Sequence, residues 1–292
     1  SSFLWEESRE LPPSLMMIGP MLPRSEPPLS AELQAWLDSA VKLQQPVIYV
    51  STGSLFSLTT DEAANVSAGL SSYSHVLWSL SDSRKAQVFP QGVPGHIRAY
   101  NWIPQLSVQS HPAVKVFITH AGYGSMTEGL WTEKPMLAIP FASDQRYNSY
   151  RVEQIGAGLR LLRHERFTAD EVRQKVNRLV TDASFAQSLR RIKNHLTRYH
   201  GRARGADLIE DFIATGGLQH LITTPYAQHW PWYKRWGVDL YMGLALLAVL
   251  LLLMLYAVVK VALRCLRMCC QARARAAGSV SSGAVTDSKK TR

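Results

Sequence analysis

An uninterrupted apolar segment near the C-terminus constrains this chain most strongly. Residues 240–259 contain no charged side chain, and about twenty such residues let an α-helix cross a hydrocarbon core of about 30 Å. A buried core helix is the alternative, but such helices are rarely apolar on all sides over this length. We therefore predict one transmembrane helix over 238–259, and its position excludes a signal peptide.

Basic residues are concentrated after this segment. The chain has a net charge of +10, and residues 260–292 contribute +7 through eight Lys or Arg residues and one Asp. Cytoplasmic flanks of membrane helices carry the excess of Lys and Arg, so we expect 260–292 in the cytosol and the soluble domain in the lumen. A nucleic-acid reader carries its basic surface on the folded domain, so no nucleic-acid partner is expected.

Three short features bear on location and modification. Lys289 and Lys290 stand fourth and third from the C-terminus and resemble the dilysine retrieval signal of endoplasmic-reticulum membrane proteins. Asn65-Val66-Ser67 is the only glycosylation sequon, so Asn65 is the candidate glycosylation site. The three cysteines lie after the predicted transmembrane helix, at Cys265, Cys269 and Cys270. They are either S-palmitoylated or inert thiols, and the sequence leaves both alternatives open.

The remaining sequence alternates short β-branched or aromatic runs with helical patterns. Strands are predicted over Val47–Ser51, His75–Leu80, Ile97–Trp102, Val114–Thr119, Met136–Pro140 and Leu159–Arg163. Helices are predicted over Asp61–Leu70, Met126–Trp131, Gln145–Ile155, 169–182, 184–199 and 203–214. This alternation predicts an α/β fold with a doubly wound parallel sheet, whose ligands bind at the carboxyl ends of the strands.

Composition also suggests domain boundaries. Six prolines within residues 11–28 block regular helix, so 1–28 is interpreted as a Pro-rich interdomain linker. An α/β domain over 29–215 follows, and then a membrane-proximal linker over 216–237. The transmembrane helix at 238–259 and a basic cytosolic tail at 260–292 complete the chain. Because residue 1 is a serine rather than a methionine, we expect this chain to be a processed product or a fragment of a longer protein.

The first two polar clusters follow predicted strands. Residues 51–54 form a small glycine-containing turn, whose backbone N–H groups suit a bound anion. In the second cluster, Trp102-Ile103-Pro104-Gln105, the indole stands at a strand end, where it can stack on a flat base. A core tryptophan before a helix is the alternative, and these four residues alone favour it.

The third cluster runs from His120 to Glu128 and leads from a strand into a helix. Backbone N–H groups and the positive end of the helix dipole suit a diphosphate above this loop. His120 and Ser125 can donate hydrogen bonds to phosphate oxygens, and Glu128 can accept from ribose hydroxyls. Ser125-x-x-Glu128 is also a capping-box pattern, which occurs twice elsewhere in the chain, so a structural role stays open.

Asp144 and Gln145 form the fourth cluster. A carboxylate beside an amide can hold a polyhydroxylated ring through directed hydrogen bonds. An N-cap on the following helix is the alternative, and the local sequence leaves both open. No pair of cysteines has metal-site spacing with partner histidines, and we predict no metal site.

The ordered set of motifs closely resembles the signature of UDP-glycosyltransferases. It comprises WIPQ, HP, FITHAGYGS, EG, KPM, IPF and DQ between Trp102 and Gln145. The similarity extends from about Leu11 through the span, and matches the C-terminal half of the animal membrane-bound members, which include the UDP-glucuronosyltransferases. It implies a GT-B architecture of two Rossmann-like domains, in which 29–215 is the UDP-sugar-binding domain.

The resemblance also implies roles for individual residues. In the family, the tryptophan of WIPQ lies against uracil and the glutamine of WIPQ contacts the nucleoside. The glutamate of the following helix binds ribose. The histidine of the glycine-rich turn contacts the diphosphate, and the DQ pair binds the sugar. The implied binding residues are Ser54, Trp102, Gln105, His120, Gly122, Ser125, Glu128, Asp144 and Gln145. Ala121 departs from the glycine usual in the family, which predicts weaker donor binding if the position requires a positive φ.

Family enzymes transfer the sugar with inversion, using a histidine and an aspartate of the N-terminal domain. We therefore expect no catalytic residue in this chain, and no cofactor besides the UDP-sugar donor. The predicted function is transfer of glucuronic acid or glucose to a small lipophilic hydroxyl acceptor, with this chain as the donor-binding half. Two alternatives stay open: an inactive regulatory membrane subunit that pairs with a full-length transferase, and the donor chain of a split enzyme.

Overall fold

The computed structural model describes residues 11, 15–23, 25–199, 201–217 and 230–281. It divides into two compact units, with the boundary between Leu218 and Gln219. The first unit is an α/β domain and the second is dominated by one long helix. The predicted dilysine signal at Lys289 and Lys290 lies outside the described residues.

The described residues of the first unit form a six-stranded parallel sheet with the order β3-β2-β1-β4-β5-β6. The strands are β1 (Val47–Ser51), β2 (His75–Ser79), β3 (Ile97–Tyr100), β4 (Val114–Thr119), β5 (Met136–Ala138) and β6 (Gly158–Arg160). The predicted doubly wound parallel sheet is confirmed. Four strands, β2, β3, β5 and β6, end one to three residues earlier than predicted.

Helices cover both faces of the sheet. They are α1 (Ala31–Lys42), α2 (Thr60–Gly69), α3 (Asp82–Val88), α4 (Gln105–Ser110), α5 (Tyr123–Trp131), α6 (Gln145–Gln154), α7 (Ala169–Thr181), α8 (Ala183–Leu196) and α9 (Gly201–Ala214). The sequence interpretation missed α1, although its buried residues Leu33, Leu37 and Ala40 have helical spacing and Ser30 caps its start. It also missed α3, which is short and buries only Val88.

The hydrophobic core lies in two layers, one on each face of the sheet. In β1, Ile48 and Val50 join one layer, while Val47 and Tyr49 join the other. Successive strand residues point to opposite faces, so a strand covered on both sides is apolar throughout. The Tyr49 ring stacks on Phe117 of β4 at 5.2 Å between ring centroids. This packing fixes the relative positions of the two central strands, whose carboxyl ends carry the candidate site.

The described part of residues 11–28 is free of regular helix, as predicted from its prolines. It is held against the α/β domain by side chains of α4. The Ser107 hydroxyl donates to the Pro27 carbonyl at 2.5 Å, and the Ser110 hydroxyl donates to the Glu26 carboxylate at 2.6 Å. The role of 1–28 as an interdomain linker stays a prediction.

Asn65, the predicted glycosylation site, lies within α2. Its side chain is half-buried, and its Nδ2 atom donates to the Phe167 carbonyl at 3.1 Å. A glycan would be linked through this same nitrogen, so its attachment requires that the hydrogen bond opens. Glycosylation at Asn65 stays a prediction.

The second unit contains a short helix α10 (Trp232–Arg235) and a 44-residue helix α11 (Val238–Ser281). Within Val238–Cys269 of α11, the most apolar window of 18 residues has a mean hydropathy of 2.8, and by length and composition this segment can cross a membrane. The helix does not end at Val259, where the predicted span ends, but continues for another 22 residues. The thiols of Cys265 and Cys269 are free and exposed on it.

Candidate functional site

The strand order reverses between β1 and β4, because β2 and β3 extend from β1 while β5 and β6 extend from β4. Doubly wound sheets bind ligands at the carboxyl edge beside such a reversal. A cavity of about 470 Å³ opens there. Its lining includes the predicted residues Ser54, Trp102 and Gln105, together with Tyr49 and Arg84, which the sequence interpretation did not select.

The Gln105 side chain is the centre of a hydrogen-bond network in this site. Its Oε1 accepts from the Tyr49 hydroxyl at 3.1 Å. Its Nε2 donates to the Ser125 hydroxyl at 3.2 Å and to the Glu128 carboxylate at 2.5 Å. One amide therefore joins β1, α4 and α5, and three predicted site residues meet although they are 20 and 23 positions apart in the chain.

Glu128 is a half-buried carboxylate on α5. Burial raises the pKa of Glu128 above its ordinary value, and the hydrogen bond from Gln105 opposes the rise. A carboxylate accepts hydrogen bonds and donates none when it is ionised. With one oxygen bound to Gln105, Glu128 offers further acceptor capacity to a ligand hydroxyl.

His120 lies between two glycines at the end of β4. A methyl group added at Gly53 would lie 2.8 Å from the imidazole Cε1, and one added at Gly122 would overlap the imidazole Nε2. The Nδ1 atom is buried and makes no well-formed hydrogen bond with the described residues. Burial lowers the pKa of His120, while Asp144 and the Ser51 backbone oppose the change. The imidazole is therefore neutral near pH 7 and can donate from one nitrogen.

Helix α5 begins at Tyr123, three residues earlier than predicted, and Gly122 occupies its N-cap position without a side-chain cap. Ser125 is consequently inside the first turn, so the capping-box alternative for Ser125 and Glu128 is wrong. The capping box of Thr59 and Glu62 is present elsewhere, with both hydrogen bonds formed. In the first turn of α5, the Tyr123 N–H is bound to the Asp144 carboxylate, and the N–H groups of Gly124 and Ser125 are suited to an anion.

Asp144 precedes α6, but its side chain does not cap that helix. Its Oδ2 instead accepts from the Tyr123 backbone N–H at 3.3 Å and from Asn148 Nδ2 at 2.7 Å. The carboxylate is exposed. Asp144 therefore lies beside the start of α5, close to the loop that carries His120.

Gln145 has a different environment from its neighbour. The residue is 4% exposed, and its Oε1 accepts from the backbone N–H groups of Phe141 and Ala142 at 2.9 and 3.2 Å. These contacts hold the loop between β5 and α6. The structure therefore gives Gln145 a loop-stabilising role, and sugar binding by Gln145 stays a prediction.

Ala121 has a φ of +61° and is fully buried. The position therefore does adopt the left-handed conformation that favours glycine, at a cost of about 1 kcal/mol for alanine. Burial of its methyl group contributes about 0.8 kcal/mol in the opposite direction. Asn148 Nδ2 donates to the Ala121 carbonyl at 2.9 Å and holds the loop in this conformation.

Ala121→Gly is expected to change the free energy of unfolding by less than about 0.5 kcal/mol, because strain relief and the lost methyl contact offset each other. UDP affinity is expected to change less than about threefold, in contrast to the weaker donor binding predicted from the sequence, since Ala121 already has the required φ. Thermal melting and a UDP titration measure both quantities. A stabilisation above about 1.5 kcal/mol would show that strain dominates at this position.

Three further residues shape the site, and the sequence interpretation did not find them. Tyr49 has the pattern of a core strand residue, and only its hydroxyl reaches the site. Asn148 stands four positions after Asp144 on α6, a spacing that places both on one helix face and could have identified it. Arg84 lies in α3 and carries no local sequence signal.

The chain is also similar to known proteins. The family described as UDP-glucoronosyl and UDP-glucosyl transferase matches residues 2–276. The chain belongs to this UDP-glycosyltransferase family. It is 30% identical over 222 residues to UDP-glycosyltransferase 1 of Phaeomoniella chlamydospora, covering 72% of this chain and 45% of the relative. It is 27% identical over 254 residues to UDP-glucuronosyltransferase 3A1 of Mus musculus, covering 84% of this chain and 46% of the relative.

Solved structures have the same GT-B glycosyltransferase fold. CalG4, the calicheamicin glycosyltransferase, matches with a TM-score of 0.51 and 25% identity over 58% of this chain and 42% of its own. Os79 of O. sativa, solved in complex with UDP, matches with a TM-score of 0.54 and 22% identity over 64% of this chain and 44% of its own. This UDP-glycosyltransferase chain thus spans about half the length of the relatives it matches. Among the described residues, no group of three or more His, Cys, Asp or Glu side chains could hold a metal.

Proposed function

We propose that this chain is the donor-binding half of a membrane-anchored UDP-glycosyltransferase. The observation that carries the proposal is the network in which Gln105 joins Ser125 and Glu128 beside the exposed ring of Trp102. These groups lie at the carboxyl edge of the sheet, where the strand order reverses. A flat base, a ribose and a diphosphate each find a suitable partner there.

The nucleoside is assigned to Trp102, Gln105 and Glu128. The Trp102 ring is 75% exposed beside the cavity, and an exposed indole can stack on uracil. Glu128 accepts hydrogen bonds from ribose hydroxyls, while Gln105 fixes the position of the carboxylate.

The diphosphate is assigned to the loops after β1 and β4. His120 donates from its neutral ring, and Ser54, Ser125 and the N-terminus of α5 supply further donors. Negative charge develops on the diphosphate as the sugar bond breaks, and donors fixed before the reaction stabilise that charge. This chain therefore contributes to catalysis by holding the leaving group.

The sugar is assigned to the region of Asp144, whose exposed carboxylate can accept from sugar hydroxyls. Glucuronic acid and glucose are the proposed sugars, in keeping with the family description. We place the catalytic base in an N-terminal half like that of the longer relatives, because His120 is committed to the diphosphate. The proposed acceptor is a small lipophilic compound with a hydroxyl group. The proposed protein partners are further copies of this chain or other transferases, with which it would form homo- or hetero-oligomers.

Helix α11 is proposed to anchor the enzyme in the endoplasmic-reticulum membrane. Its apolar part, Val238–Cys269, supports a single span. The basic residues that follow Val259 support a cytosolic tail and a lumenal donor domain.

Glu128→Gln is expected to weaken UDP binding by about tenfold, because a charged hydrogen-bond acceptor is replaced by a neutral one. UDP affinity of the unmodified chain should also fall as the pH is lowered, and this fall should begin at a higher pH than an ordinary glutamate would give, since burial raises the pKa of Glu128. The variant lacks this titration. Isothermal titration of the full chain in detergent with UDP measures both effects.

UDP itself also takes up a proton as the pH is lowered, so the difference in pH dependence between the two proteins isolates Glu128. Glu171→Gln is the matched control, because Glu171 pairs with Lys175 on α7 at 2.7 Å. Equal UDP affinity of the Glu128 and Glu171 variants at each pH would refute the assignment. Absence of UDP binding by the unmodified chain would refute the proposed function.

A further inference from the structure

We propose that Arg84 is a positioning residue for the diphosphate, acting by clamping the loop after β1. The inference rests on the proposed function and names a residue that neither the motifs nor the family signature selected. Arg84 lies in α3, outside the loops of the assigned site, and lines the same cavity as Ser54 and Trp102.

The Arg84 guanidinium is bound by carbonyl oxygens of one loop. Nη1 donates to the carbonyls of Gly53 at 3.2 Å and Phe56 at 3.0 Å, and Nη2 donates to the carbonyl of Ser54 at 2.5 Å. The planar guanidinium presents its donors in a fixed fork. Three carbonyls within four residues are therefore turned toward a single group.

The orientation of these carbonyls determines where the loop N–H groups point. In a trans peptide the N–H is antiparallel to the preceding C=O, and the described chain contains no cis peptide bond. The N–H groups of Ser54, Leu55 and Ser57 therefore point away from Arg84. No hydrogen bond described for the chain uses the N–H of Ser54 or Ser57. Backbone N–H groups left without a partner in such a loop can bind an anion.

The same loop contacts the histidine assigned to the diphosphate. Gly53 has a φ of +75° and lies against the His120 imidazole, where a methyl group would come within 2.8 Å. Arg84 thus holds one face of the loop while His120 lies against Gly53. Displacement of the loop would move Ser54 and its N–H relative to His120.

The charge of Arg84 adds to this effect. Within the described residues, no carboxylate forms an ion pair with Arg84, and its recorded partners are carbonyl oxygens. A cation whose charge is not neutralised at the rim of a cavity attracts a dianionic ligand. The arrangement therefore favours a nucleoside diphosphate over the uncharged nucleoside.

The test compares UDP with uridine, which lacks the diphosphate, on the full chain in detergent. Arg84→Gln is expected to lower UDP affinity by about tenfold and uridine affinity by less than about twofold. Arg84→Lys keeps the charge but loses the fork, so most of the UDP loss should remain. The backbone order parameters of residues 53–57 should fall in both variants, because the loop is no longer held by the guanidinium.

Arg98→Gln is the matched control, because Arg98 pairs with Glu32 at 3.4 Å in the same unit but does not line the cavity. An unchanged ratio of UDP to uridine affinity in Arg84→Gln would overturn the inference while leaving the proposed function intact. If Arg84→Lys restores the ratio of UDP to uridine affinity, the clamp is refuted and the positive charge of residue 84 by itself accounts for the effect. If the unmodified chain binds no UDP, the proposed function and this inference both fail.

Discussion

Trp102→Ala is expected to weaken UDP binding by about ten- to a hundredfold, because stacking of a base on an aromatic ring contributes about 1–3 kcal/mol. The same substitution should change the free energy of unfolding by less than about 0.5 kcal/mol, since a ring that is 75% exposed makes few core contacts. Titration with UDP and thermal melting of the full chain in detergent measure the two effects separately.

Two variants make this result specific. Trp102→Phe keeps an aromatic surface and should recover most of the lost affinity. Leu43→Ala removes a side chain that is 61% exposed at the end of α1, away from the site, and it should bind UDP as the unmodified chain does. If Trp102→Ala binds UDP with unchanged affinity, the indole does not receive the base.

Gly122→Ala is expected to lower UDP affinity by at least about tenfold, because the added methyl group overlaps the His120 Nε2 atom and displaces the imidazole. The backbone tolerates alanine here, since Gly122 has a φ of −60°. The overlap should also destabilise the fold by about 1–3 kcal/mol. Chemical denaturation and UDP titration test the two consequences.

Gly124 offers a control two residues away on the same helix. An added methyl group there has no neighbour within 4 Å, so Gly124→Ala should stabilise the fold by up to about 1 kcal/mol through helix propensity. His120→Ala combined with Gly122→Ala should recover the lost stability but not UDP binding. Equal melting temperatures for the Gly122 and Gly124 variants would show that displacement of His120 does not destabilise the fold.

Much of the fold could be predicted because its signals are local. Strands covered on both faces have continuous apolar runs, such as residues 47–50, and helices keep a periodic apolar face. Such patterns need no knowledge of distant residues, so the order of strands and helices was predictable. The start of α5 was misplaced because Gly122 occupies the N-cap without a capping side chain, and the usual signal is missing.

The candidate site was predictable only as separate clusters. The motifs placed Gln105, Ser125 and Glu128 near strand ends, but their hydrogen bonds depend on how α4 and α5 pack. The choice between an N-cap and another role for Asp144 was likewise open from the sequence. Its carboxylate reaches the start of α5, which is 21 residues earlier in the chain.

The sequence by itself determined the α/β alternation, the apolar helix and the family, because each depends on residue type at short spacing. Only the tertiary structure decided that His120 lies between Gly53 and Gly122, that Ala121 has a positive φ, and that Arg84 clamps the loop after β1. The physical reason is that parallel strands bring the ends of distant segments to one edge of the sheet. Contacts made there depend on the packing of the whole domain and leave no local pattern in the sequence.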